Sequence, residues 1–429
     1  MNRKLTGLVL ASMSIFFLSI LGLVAAIEVS PVGAALPSVI RTISAGGQIV
    51  VSPDSSTAWI SGGNEVNKVN AASGAITGTV TGQNGVYQSA ISPDGSTLWA
   101  PNGSSNSVSE INTADMSVTR SIGVGSAPYY AVASPNGSDV WAVNSGDPTV
   151  TQINAVSGAV TRTISVGSAP YYLAVSPDSS TGWVTNYSDG TVTEFDTSTG
   201  TILGTVTVGQ GPAWIAVSPN GATVWVSNTG DGTISEISTS NATVTSTIAV
   251  GQSPWRFALS PDGSKLWVSN NGSGSVSEID TATASVIKTI TVGTEPWGIA
   301  VSPNASSVWV ANQGTGMNSV TQIDASTGLV VQTIQVGQYP EFLTVSPDSL
   351  TVWVDNAGDG TVSEISVPAN SPTTIPTTTP TTTPAVTTAS IKTLAATGTN
   401  LTLPLGLATA LLGLGGLGVL GAQRRRRRV

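Results

Sequence analysis

Short apolar runs alternate with clusters of Gly, Ser, Asn, Asp and Pro along most of this chain. The stretch from Pro254 to Gly293 shows the unit. "RFALS" is an apolar run, and "SPDG" is a turn in which Pro261 presets φ while Asp262 and Gly263 suit the following positions. "KLWVSN" alternates, with Leu266 and Val268 on one face and Trp267 on the other. "NGSG" turns the chain again, and "SVSEID" and "SVIKTITVG" supply two further strands. The Ser-Pro-Asp/Asn triplet begins at Ser52, Ser92, Ser134, Ser176, Ser218, Ser260, Ser302 and Ser346, in steps of 40, 42, 42, 42, 42, 42 and 44 residues. A Trp follows each of those serines by seven residues: Trp59, Trp99, Trp141, Trp183, Trp225, Trp267, Trp309 and Trp353.

Four antiparallel strands per repeat predict a propeller blade. A lone hairpin is marginal in water, so each copy must bury the faces of the next. The last copy supplies three strands, ending at "GTVSEIS", Gly360 to Ser366. The missing fourth-strand pattern stands at the other end, as "SVIRTISAG", Ser38 to Gly46. The expected fold is therefore all-β: an eight-bladed β-propeller of four-stranded antiparallel blades over residues 38–368, closed by its N-terminal strand. An open β-solenoid, or a seven-blade ring with a spare unit, fits the same spacing.

Composition narrows the chemistry. With no Cys and no His, the chain lacks disulfides, the usual zinc, copper and haem ligands, and any Ser-His-Asp or Cys-His nucleophile system. No catalytic constellation, metal site or cofactor is expected. Residues 38–368 carry seven basic and 23 acidic residues, a net charge of −16, which excludes nucleic acid as a partner on electrostatic grounds.

The ends read as addresses. Residues 1–35 have the basic start, apolar run and small residues of a secretory signal peptide, with cleavage after Ala26 or Ala35. Residues 369–393 are rich in Thr and Pro and predict a disordered stalk, whose stretch 371–388 makes an extended spacer of roughly 60 Å or less at ~3.1 Å per residue. The uncharged stretch 401–422 spans about 33 Å as a helix, enough to cross a bilayer. The basic tail 423–429 belongs on the cytoplasmic side. Just ahead of the apolar span stands Leu394-Ala395-Ala396-Thr397-Gly398. Pentapeptide, apolar span and basic tail together resemble a Gram-positive cell-wall sorting signal of the Leu-Ala-x-Thr-Gly variant. That resemblance implies a sortase as partner, cleavage between Thr397 and Gly398, and display outside the cell. A plain membrane anchor through the C-terminal helix is the alternative.

"WVTN" at Trp183, "WVSN" at Trp225 and Trp267, "WVAN" at Trp309 and "WVDN" at Trp353, with "SPDG", "VSEID" and "TITVG", resemble the YVTN-family propeller repeat, with Trp in place of Tyr. The resemblance covers about Val39 to Val367. "WISG" at Trp59, "WAPN" at Trp99 and "WAVN" at Trp141 depart from it, so irregularity is expected in the early copies. It implies a secreted or surface protein; related propellers include lactonases and amine-dehydrogenase subunits.

Residues repeated once per copy read as scaffold. The eight Trp are expected to pack between blades. Glu110, Glu194, Glu236, Glu278 and Glu364, replaced elsewhere by Gln152, Gln322 and Lys68, are expected to make polar contacts between blades. The loop acids Asp147, Asp189, Asp231 and Asp359 are expected to be solvated turn residues. The segments leading into the first strands vary more. They offer Tyr129, Tyr130, Tyr171, Tyr172, Trp214, Trp255, Trp297 and Phe342, with Tyr87 in an early copy, as a rim that stacks on a sugar ring or another flat ligand, or that plugs the channel mouth. The expectation is a surface-displayed binding, adhesion or structural protein for glycan or protein ligands. The alternatives are a lactonase-like hydrolase with a cation in the channel and a passive surface-layer component.

Overall fold

The computed structural model describes residues 35–369. The expectations for the leader, nearly all of the stalk, the pentapeptide, the apolar span and the basic tail lie outside those residues. Among the described residues no helix is long and apolar enough to cross a membrane.

The 31 strands form six four-stranded sheets and one seven-stranded sheet, every strand antiparallel to its sheet neighbours, arranged as a propeller. The Trp267 copy is typical. Its strands are Pro254–Leu259, Lys265–Asn270, Ser275–Asp280 and Ser285–Thr291, as the apolar pattern predicts. In its first turn Asp262 accepts from the Ser260 hydroxyl (2.6 Å) and the Ser264 N–H (3.0 Å), and Gly263 takes the left-handed conformation, φ 72°. These bonds hold the Asp262 carboxyl down to about 2.

The N-terminal strand Ser38–Ile43 completes the last sheet, pairing with Thr361–Ser366. Arg41 lies opposite Glu364 and binds its carboxylate at 2.6 Å. The chain then threads the seam between last and first copies: the Gly47 N–H donates to Asp355 at 2.9 Å. A Cβ on Gly46 would lie 2.8 Å from the Gly360 backbone, and one on Gly62 would lie 2.3 Å from the Gly46 oxygen.

Among the described residues the core divides into eight clusters, each holding one of the recurrent Trp at 0–1% exposure. Each Trp packs on the following copy. Trp183 meets Ile215, Val224 and Val226, and Trp353 meets Ala58 and Ile60 of the first. The core is therefore not central: it is a set of walls between sheets. The third-strand acids act differently from expectation. Glu110 and Glu278 pair within their own sheets, with Arg120 (2.7 Å) and Lys265 (2.5 Å). The cation makes the crossing: Lys265 also donates to Ala325 O (3.1 Å) and Arg120 to Val156 O (3.3 Å). Gln152 and Lys68 do reach the next copy, at Thr197 O and Thr113 O.

The irregularity falls in two of the three copies where the sequence departs, while the Trp141 copy is a regular four-stranded sheet. The seven-stranded sheet spans the Trp59 and Trp99 copies, joined through one residue pair, Val86 and Asn102. In the Trp183 copy, the amide of Asn186 is buried and donates to Thr191 and Thr193, both at 2.9 Å, clamping second strand to third. In the Trp59 copy that position is Gly62, so the clamp is missing and Thr57–Asn70 runs as one element.

Candidate functional site

The channel mouth is built by a repeated bulge. In the Trp267 copy Pro254 pairs with Asn270 and Phe257 with Val268, so Trp255 and Arg256 together face the single residue Ser269. The same shift occurs after Pro170, Pro212, Pro296 and Pro340. A bulge re-aims side chains and interrupts pairing, and it presents two consecutive side chains per copy at the channel. The interrupted pairing is filled by a hydroxyl from the second strand. Ser227 accepts the Trp214 N–H (3.0 Å) and donates to Trp255 O of the next copy (2.8 Å); Thr185 and Ser269 do likewise. The residue before each of these prolines has positive φ, including Ala169 (51°), Ser253 (49°), Glu295 (51°) and Tyr339 (52°). Such backbone costs about 1–3 kcal/mol per residue, and strain of this kind concentrates at binding surfaces.

The first residues of these pairs form an outer arc. Ring centroids are 4.8 Å apart from Tyr87 to Tyr129, 5.1 Å from Tyr129 to Tyr171, 6.3 Å from Tyr171 to Trp255 and 4.6 Å from Trp255 to Trp297. The second residues form an inner layer. Tyr130 and Tyr172 are 5.1 Å apart, and Tyr172 and Trp214 4.5 Å. All eight rim aromatics expected from the sequence are in this assembly, yet none is fully exposed: Tyr172 is buried and the other seven are half-buried. Tyr87 is the open one, at 50%. Burial raises the Tyr129, Tyr171 and Tyr172 hydroxyls and pushes Tyr130 up to about 12, so all four are neutral donors at physiological pH.

The sequence reading missed the residue at the centre. Arg256 follows "PW" where other copies have Tyr, Trp, Phe, Gly or Gln. Its guanidinium carbon lies 4.2 Å from the Trp214 ring centroid and 4.3 Å from that of Phe342, so two aromatic faces cover it. Nη2 donates to the Tyr172 hydroxyl (2.8 Å) and to Gln88 Oε1 across the channel (3.3 Å). The signal was available: Arg256 is the one cation in the first-strand segments.

The loop acids are exposed or half-buried turn residues, as expected, and each also caps a backbone N–H. Asp147, Asp189 and Asp231 each accept a backbone N–H at 2.6 Å, from Ser126, Ser168 and Gln210, and Asp359 accepts that of Gln338 at 2.9 Å. These bonds let solvated turn residues hold the segments entering the first strands. Asp355 is a single-copy variant of the hydroxyl position. It is buried at the seam, and burial, with Glu341 and Asp359 adding, pushes its carboxyl from 3.8 to about 7 against the Gly47 N–H. The folded state thus holds this proton more firmly than the unfolded chain, and stability falls as pH rises from about 4 to 7. Asp355→Asn keeps an oxygen for Gly47 and removes the charge. The variant is expected to melt above the parent at pH 8 and level with it near pH 4; an advantage that does not vary with pH would contradict this account. Among the described residues no three acidic groups converge as metal ligands.

A family model described as "YNCE-like beta-propeller" matches residues 208–360. No curated protein matches the chain. Among solved structures it is similar to hydrazine synthase of Kuenenia stuttgartiensis (21% identical, TM-score 0.54, covering 68% of this chain and 99% of that one). It is also similar to the dihydro-heme d1 dehydrogenase NirN in complex with DHE (14%, 0.58, 68% and 66%). A third is a streptogramin B lyase (18%, 0.53, 66% and 93%). At these identities the likeness concerns fold alone: the described residues form a β-propeller, a fold whose neighbours here do unrelated chemistry.

Proposed function

We propose that this chain is an eight-bladed propeller of the YVTN type, displayed outside the cell, whose channel mouth binds carbohydrate. One observation carries the binding reading: the aromatic arc Tyr87–Tyr129–Tyr171–Trp255–Trp297 gathers contiguous rings at the channel mouth, in the segments leading into the first strands. Rings and their edges offer CH-rich sugar faces a flat apolar surface with hydroxyl donors beside it. The eight-blade count is supported by eight Trp-centred clusters, and by the single residue pair that joins two copies into one sheet. Display outside the cell rests on the leader-like start, the Thr/Pro stalk and the sortase-type pentapeptide Leu394–Gly398 with its apolar span. A lactonase-like hydrolase fits less well, because the Arg256 guanidinium stands among the mouth residues and repels a divalent cation.

The full chain in mild detergent, screened on a glycan array and followed by calorimetry, tests the reading. Trp255→Ala and Trp297→Ala are each expected to weaken the best hit about tenfold, equivalent to about 1.4 kcal/mol. Hits bound equally well by both variants would remove the arc from the binding surface.

A further inference from the structure

Six of the seven cations between residues 38 and 368 tie sheets together. Arg41, Lys68, Arg120, Arg162, Lys265 and Lys288 each donate to a carbonyl oxygen of the next copy. Arg256 does not. It stands half-buried under the aromatic arc, in a body of strongly negative net charge. Even so, among the described residues no carboxylate lies within 4.0 Å of its nitrogens; the ion pairs there are those of Arg41, Arg120 and Lys265. The half-buried Glu341 carboxylate acts on Arg256 only from beyond contact distance, and a half-buried cation with no carboxylate in direct contact is an uncommon arrangement, because desolvation of the charge has to be offset. Here two ring faces and two neutral acceptors offset it. Both protons on Nη2 are used, by Tyr172 and Gln88, while Nε and Nη1 have no hydrogen-bond partner among the described residues.

From this geometry we infer that the channel mouth selects a sugar carrying a carboxylate, with the anionic group docked on the Nη1 side of Arg256 and the ring against the aromatic arc. The inference rests on the carbohydrate reading above and adds the charge of the ligand. The two halves of the site are contiguous. Trp255 of the arc is the neighbour of Arg256, and Tyr172, which holds Nη2, touches arc rings Tyr171 (4.8 Å) and Tyr129 (6.1 Å). The sandwich between Trp214 and Phe342 fixes the guanidinium plane, so little order remains to be imposed on binding. The surrounding negative charge favours a ligand with one acidic group over a polyanion, which the field of the body would repel.

A matched pair of probes separates this inference from the reading beneath it. The probes are xylotriose bearing one glucuronate and the same tetrasaccharide as its methyl ester, titrated into the full chain in mild detergent by calorimetry. A charge-assisted hydrogen bond is worth about 1.5–3 kcal/mol, so the acid is expected to bind roughly 10- to 100-fold more tightly than the ester. That preference should shrink with added salt, disappear in Arg256→Gln and persist in part in Arg256→Lys. Equal binding of acid and ester, both weakened by Trp255→Ala, would overturn the carboxylate inference and leave the aromatic reading standing. No binding of either probe, or binding indifferent to Trp255→Ala, would overturn the carbohydrate reading and the inference with it. The acid–ester comparison on the unmodified chain decides the matter even if Arg256→Gln disturbs the cage.

Discussion

A chain lacking Ser38–Gly46 is expected to lose its closed fold near room temperature. The segment is the fourth strand of the last sheet, and nothing else in the described residues occupies that edge. Its loss strips Ile43 and Ala45, 5% and 6% exposed, from the wall that holds Trp353. It also removes Arg41, leaving Glu364, whose side chain is 1% exposed, without its ion-pair partner. Burial already raises that carboxyl and Arg41 holds it down. Losing a buried Ile costs about 2–5 kcal/mol, and an orphaned buried carboxylate adds several more. The sum approaches the roughly 5–15 kcal/mol by which folded domains are stable at all. Thermal melts monitored by tryptophan fluorescence suit the measurement, since the reporters sit in the walls. Arg41→Ala alone should show an intermediate loss. Superimposable melts of the deleted and intact chains would mean that the last sheet does not need its fourth strand.

Trp183→Ala is expected to cost about 3–5 kcal/mol in urea denaturation, whereas Trp297→Ala costs under about 1 kcal/mol. The chain has 11 Trp, and the two classes look alike in composition. Their surroundings separate them. Trp183 is fully buried, packs on Ile215, Val224 and Val226 of the next copy, and donates its indole N–H to Thr181 at 3.1 Å. Its removal opens a void in a wall shared by two sheets, and neither side can close it without moving the other. Trp297 is half-buried and stacks on Trp255 at the mouth, where water fills the space it leaves. The same two variants should behave oppositely toward ligand. Trp183→Ala is expected to leave affinity unchanged under conditions where it is folded, and Trp297→Ala to lower it. Equal stability losses would show that the distinction between scaffold and rim is drawn in the wrong place.

The repeat determined the sheets. A Trp seven residues after the first Ser of each Ser-Pro-Asp/Asn triplet, period-two alternation beside it and a one-strand deficit at one end specify four-stranded modules and their closure. Each of these is a local pattern, legible because a strand's faces and a turn's residues are dictated within a few positions. The eight rim aromatics were legible for a similar reason: they are the part of the repeat that changes. Tertiary structure decided what those aromatics do. The bulges after Pro170, Pro212 and Pro254 are filled by a hydroxyl from the neighbouring strand, as with Ser227, and no local pattern announces it. The loop acids are solvated as read, but their capping role was hidden because the N–H groups they cap lie about 20 residues earlier in the chain, as with Asp231 and Gln210. Arg256 gains its meaning from Gln88, Tyr172, Trp214 and Phe342, which come from four other copies. A toroidal fold brings one residue from each distant module to a common axis. The chemistry of that axis is therefore a sum over the whole ring, which a module read alone does not contain.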